Sequence, residues 1–137
     1  MASNQELYND LAYYTLAHKA PSFIHQLVVD AYTAQNADAE TKPIAVAFAL
    51  IGISLHTEKG YTGKQVQQAH MRLAARRKDW PRMALPKTRG AITIAELLAV
   101  PPGSQRDEAI ERWCRAVWES YSELHEEVRK LVNENLY

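Results

Sequence analysis

The stretch Pro43-Ile44-Ala45-Val46-Ala47-Phe48-Ala49-Leu50-Ile51-Gly52-Ile53-Ser54-Leu55 decides the fold. It is apolar on every side, with neither strand-like alternation nor a polar face. On a 3.6-residue period it predicts a helix surrounded by protein. Thr41 is the expected N-cap, Pro43 suits the first turn, and Lys59 with Gly60 forms a C-terminal signature. The run is shorter than the ~20 residues that cross a bilayer, and Lys42 and Lys59 bracket it. No membrane span is expected.

Working outward, every other element reads as a partner for this helix. Upstream, Leu7, Leu11 and Tyr14 give one apolar face to a helix capped by Ser3 or Asn4 and ending near Lys19. A second helix starts at Pro21 or Ser22 and runs to about Asn36, with Phe23, Ile24, Leu27, Val28, Ala31 and Ala34 as its stripe. Downstream, Thr62 and Gln65 form a capping box for a helix to about Lys78 whose apolar face, Val66, Ala69 and Leu73, is thin. Residues 79–90 form a loop in which Trp80, Met83 and Leu85 pack inward. Thr93 and Glu96 open a short helix, and Ser104 caps a long last helix reaching about Glu134. Ile110, Trp113, Val117, Tyr121, Leu124, Val128 and Leu131 follow the 3–4 spacing of a bundle seam. The expectation is an all-α protein, a single compact bundle of five or six helices in one domain spanning 1–137.

Composition excludes more than it names. Sixteen Lys and Arg balance sixteen Asp and Glu over 137 residues, so overall charge points to no partner. The lone Cys114 cannot form an internal disulfide and belongs to no zinc-type cysteine pair. Mid-helix beside Trp113, it reads as a buried structural thiol. The first residues lack a basic stretch followed by an apolar run, so no signal peptide is expected and a cytoplasmic location is the default. The five glycines form no Gly-x-Gly cluster, which disfavours the usual nucleotide-binding loops.

Three constellations carry chemistry. His25, Asp30, His56 and His125 come from three helices and could converge on a divalent transition metal such as zinc, supporting a metal-dependent hydrolase or transferase. No Glu-x-x-His pair supports that convergence, and the competing reading bonds each residue to a local neighbour. Tyr32, Trp118 and Tyr121 are candidate ligand-binding aromatics; Trp118 and Tyr121 flank the seam beside His125. Finally, Lys64, Arg72, Arg76, Arg77, Lys78, Arg82, Lys87 and Arg89 stand against one acid, Asp79, and suggest nucleic-acid or phosphate-ligand binding. Against that stands the neutral total, so solvated charge is the leading reading and no nucleic-acid partner is expected. The acids Glu111, Glu119, Glu123, Glu126 and Glu127 of the last helix offer compensation.

Val29-Asp30-Ala31-Tyr32-x-x-Gln35, then Leu50 to Leu55, Glu58-Lys59-Gly60, Trp80-Pro81, Leu85-Pro86, Gly90-x-Ile92-Thr93-Ile94, Trp113-x-x-x-Val117-Trp118 and His125, form a set. It resembles an uncharacterised bacterial family of unknown function with the hallmark Val-Asp-Ala-Tyr-x-x-Gln-His-Pro. The resemblance implies a shared pattern of polar residues, which His25, Asp30 and His125 match. Asn36 and Ala49 stand where it implies histidines, so this member is expected to keep the architecture more surely than any metal chemistry. The leading expectation is a binding or self-associating module, a homodimer presenting Tyr8, Tyr13, Trp80 and Tyr137.

Overall fold

The computed structural model describes residues 3–17 and 24–137. Its elements are α1 (Asn4–Ala17), α2 (His25–Asn36), α3 (Pro43–Lys59), α4 (Gly63–Arg76), α5 (Ile94–Ala99), α6 (Ser104–Ser120), a 3₁₀ turn at Ser122–Leu124 and α7 (His125–Leu136). The expected end of the first helix near Lys19, the start of the second at Pro21 or Ser22, and Phe23 lie outside the described residues.

The stretch 43–55 behaves as its composition dictates. Helix α3 packs against α2, α4, α6 and α7, and every residue from Ala49 to Leu55 is buried. Gly60, at φ +71° in the left-handed region, closes the helix and donates its N–H to His56. The start differs from the expectation. Thr41 is spent on a turn in which its hydroxyl accepts from Asp38 N–H and the Asp38 carboxylate accepts from the N–H groups of Glu40 and Thr41. Lys42 is therefore the N-cap, without a side-chain bond. The capping box of Thr62 and Gln65 forms in both directions.

Seven α-helices replace the expected five or six among the described residues. The long last helix is two. Its seam spacing runs on without interruption, but the backbone turns at Tyr121. The phenol of Tyr121 donates to the Ala34 carbonyl at 2.6 Å, pinning the residue to the end of α2. The freed Trp118 carbonyl accepts from Tyr121 N–H at 3.0 Å and from His125 Nε2–H at 2.8 Å. A second correction lies at the start of α6. Gly103, not Ser104, is its N-cap, at φ +109°, where a side chain would be strained. Its N–H donates to the Tyr14 hydroxyl, which donates to Asp107, so α1 is tied to the first turn of α6.

The hallmark-like segment of α2 acts largely as a clasp. Gln35 donates to the carbonyls of Ile92 and Arg89 and accepts from Trp113 Nε1–H. Arg89 donates back to the carbonyls of Ala37 and Pro86. These bonds hold the 79–92 loop over the end of α2, satisfying carbonyls that the helix leaves open.

Candidate functional site

Among the described residues, no three of the His, Cys, Asp and Glu side chains form a group able to hold a metal ion. The four proposed ligands sit in separate local networks. His25 Nδ1 lies 3.0 Å from the Thr15 hydroxyl of α1. His125 stacks on Trp118 with ring centroids 3.8 Å apart. The two that remain, Asp30 and His56, each face a neighbour of complementary chemistry.

His56 lies between two acceptors. Its Nδ1–H donates to the Tyr61 carbonyl at 2.6 Å, and Nε2–H reaches the Glu111 carboxylate of α6 at 2.7 Å. Since a carbonyl and a carboxylate only accept, both ring nitrogens must carry protons and the ring is an imidazolium. The bond to Glu111 outweighs burial and raises the His56 pKa, while the same bond lowers that of Glu111. The pair closes the rim between α3 and α6 and braces the turn leading into α4.

Asp30 is the opposite case. It is buried, only 3% exposed, and its Oδ1 accepts from Gln26 at 3.2 Å. Its Oδ2 has no hydrogen-bond partner. That oxygen rests on Gly52: a Cβ built there would stand 2.0 Å from it and 3.0 Å from Val66. Only glycine admits the carboxyl to the surface of α3. His70 of α4 lies 3.8 Å away, its Nε2–H donating to the Phe48 carbonyl at 2.8 Å. Burial pushes the Asp30 carboxyl well above the usual carboxylate range and pushes His70 down. Burial thus favours the neutral form of both, a contact rather than an ion pair.

Sequence reasoning missed His70. The signal was present, because Val66, Ala69, His70 and Leu73 share one helical face. The aromatic candidates are occupied by structural contacts. Tyr32 stacks on Tyr8 with centroids 4.1 Å apart, and Trp118 and Tyr121 are buried. Tyr121 also backs a surface cleft of 390 Å³ between the loop at Leu85–Thr88 and the turn at Ser120–Leu124. Cys114 is buried, with its thiol pKa raised by desolvation, as suits a structural thiol.

The basic segment departs furthest from expectation. Beside the His70–Asp30 contact, four ion pairs occur among the described residues: His56–Glu111, Arg129–Glu58, Arg129–Glu126 and Lys130–Glu134. None includes any of the eight Lys and Arg residues between 64 and 89. The acids expected to compensate them do not. Glu111 is taken by His56 and Glu126 by Arg129 on its own helix. The arginines that are tethered reach carbonyls: Arg76 that of Asn135, Arg77 that of Asp79, Arg82 that of Ala39, Arg89 those of Ala37 and Pro86. On α4, Lys64, Gln68, Arg72 and Arg76 are all exposed and recur at four-residue steps, forming one ridge. Trp80 packs inward at 8% exposure, edge-on to Phe48, with the Arg77 guanidinium 5.1 Å above its ring.

A family model for DUF5946, a family of unknown function, matches residues 2–122. The chain belongs to the DUF5946 family. Neither the curated proteins nor the solved structures contain a match. Within this DUF5946 member, Asp30 packs on Gly52 and Gln35 clasps the 79–92 loop, so the resemblance rests in part on residues that hold helices together. No helix among the described residues is long and apolar enough to cross a membrane.

Proposed function

We propose that this DUF5946 protein is a binding module whose contact surface is the basic face formed by α4 and the following residues, and that its partner is anionic. The observation that carries the proposal is the absence of any carboxylate partner within the described residues for Lys64, Arg72, Arg76 or Lys78. The neutral total of the chain conceals this separation: eight cations and one acid fall between residues 64 and 90, and the balancing acids lie elsewhere. Exposed charge of one sign attracts and orients a partner of the other sign. Retention on an immobilised acidic polysaccharide tests the proposal. The protein should bind at low salt and elute as salt rises, and the combined change Lys64→Gln, Arg72→Gln, Lys78→Gln should abolish retention. Flow-through of the wild type at low salt overturns the proposal.

Self-association is the second reading, favoured by Tyr13 and Leu16, which lie one turn apart on α1 at 77% and 58% exposure. The surface it can use is smaller than the sequence suggested. Trp80 is buried and Tyr8 stacks on Tyr32, while Tyr137 stays 64% exposed with its hydroxyl bonded to that of Tyr61 at 2.7 Å. Light scattering at high concentration should give twice the chain mass, falling to that of the monomer for Tyr13→Ser with Leu16→Ser. A monomeric wild type removes this reading.

A further inference from the structure

The basic face has an exposed aromatic ring at its edge, and this ring names the anion; the inference rests on the proposal above. Along the α4 ridge, Lys64 and Arg72 stand about 12 Å apart and Arg72 and Arg76 about 6 Å apart, a row of charges rather than a point. The end of α7 lies beside this row, where the Arg76 guanidinium donates to the Asn135 carbonyl at 3.0 Å. Two residues further on, Tyr137 is 64% exposed. Its hydroxyl is tethered to that of Tyr61, which directly precedes the start of α4, at 2.7 Å. Lys59 sets its ammonium over the Tyr137 ring, 4.9 Å from the centroid. Lys59 and Arg72 are also within electrostatic reach of the Tyr61 phenol. The ring is thus held in place and bordered by cations, while the acids nearest in sequence are engaged elsewhere: Glu58 by Arg129 and Glu134 by Lys130. An acidic polysaccharide or peptide would use the cations and gain nothing from the ring. A duplex presents its phosphates but keeps its base faces stacked on one another. A single strand offers both phosphates in a row and open base faces, and proteins that hold single strands combine a charged track with rings on which bases stack. We infer that this face binds single-stranded nucleic acid without sequence preference, a base stacking on Tyr137 while Lys64, Arg72 and Arg76 follow the phosphates.

Fluorescence anisotropy on the intact chain tests this. The probes are a short labelled single strand of mixed sequence, its duplex, and an abasic strand that keeps the phosphates and lacks the bases, with heparin and a mononucleotide as competitors. The single strand should bind most tightly. The abasic strand should bind more weakly by the factor of about 5 to 150 that one base–ring stack supplies. Tyr137→Leu should weaken the ordinary strand by that factor and leave the abasic strand unchanged, so the preference between them disappears. Tyr137→Phe, which keeps the ring, should retain the preference. A merely structural role for Tyr137 would move both strands together, and unchanged abasic binding shows that the variant is folded. Arg72→Gln should weaken both strands alike and lower the slope of log K against log salt by about 0.7. An abasic strand or a duplex bound as tightly as the ordinary strand overturns this inference and leaves the basic-face proposal standing. So does a mononucleotide that competes as well as the strand, or binding to heparin alone. Failure to bind any of these polyanions overturns both.

Discussion

The two sides of α4 carry opposite solutions to the same problem. Its inner side, Val66, Ala69, His70 and Leu73, faces α2 and α3, and there burial removes charge. His70 and Asp30 lie 3.8 Å apart, and desolvation pushes both toward their neutral forms. Its outer side, Lys64, Gln68, Arg72 and Arg76, keeps three full charges with no carboxylate partner. The rim pair His56–Glu111 lies between these extremes, wet enough to ionise and close enough to bond. Chemical type does not decide whether a histidine and a carboxylate make an ion pair; the solvent left to them does.

The largest effect should come from breaking the inner side. Gly52→Ala adds a methyl where the Asp30 carboxyl already sits. The overpacking should destabilise the protein by about 1–3 kcal/mol, against a gain of about 1 kcal/mol in helix propensity. In the Asp30→Ala background the clash disappears and Gly52→Ala should become neutral or stabilising, as urea denaturation of the four proteins will report. An equal cost in both backgrounds would mean that the Asp30–Gly52 contact is not the cause.

Asp30→Asn should do less. It keeps the shape and a group for Gln26, so stability should stay within about 1 kcal/mol of wild type near pH 4. The folded Asp30 pKa is raised, so its contribution is complete below the unfolded value of about 4 and is lost as pH rises toward the folded value. The asparagine variant lacks that loss. Its stability relative to wild type should improve between pH 4 and pH 7, and a constant difference would indicate an ionised Asp30.

At the rim the sign reverses. The His56 pKa is raised, so its contribution is complete below about 6.5 and fades as pH rises through the folded value. The Glu111 pKa is lowered, so its contribution is present above about 4.3 and fades as pH falls. Wild type should therefore lose melting temperature between pH 6 and pH 8, and His56→Gln should flatten that decline. A parallel decline in both proteins would show that the pair does not titrate as described. The smallest effect on stability belongs to the outer side: Lys64→Gln with Arg72→Gln should change it by no more than about 0.5 kcal/mol.

Much of this architecture was legible in the sequence. The run 43–55 could satisfy its apolar surface only inside a bundle, and the Thr62–Gln65 box is a local code needing no tertiary context. What could not be read depends on distant partners. The turn at Tyr121 comes from a bond to Ala34 across the bundle, while the local seam spacing argued for a continuous helix. Thr41 looked like a cap until Asp38 claimed it. Asp30 was identified as important, but its partner Gly52 is visible only as a close approach, and His70 was hidden in a face that looked thin. For the basic segment the counts were right and the inferred compensation was not, because ion pairing depends on which acids are within reach rather than on how many exist.

The most direct test of the central claim is the salt concentration at which three proteins leave an acidic polysaccharide column: wild type, the outer variant Lys64→Gln, Arg72→Gln, Lys78→Gln, and the inner variant Asp30→Asn. If the outer side of α4 is the contact surface and the inner side is only structural, wild type and Asp30→Asn should elute together and the outer variant should pass through at low salt. Co-elution of the outer variant with wild type would contradict the account.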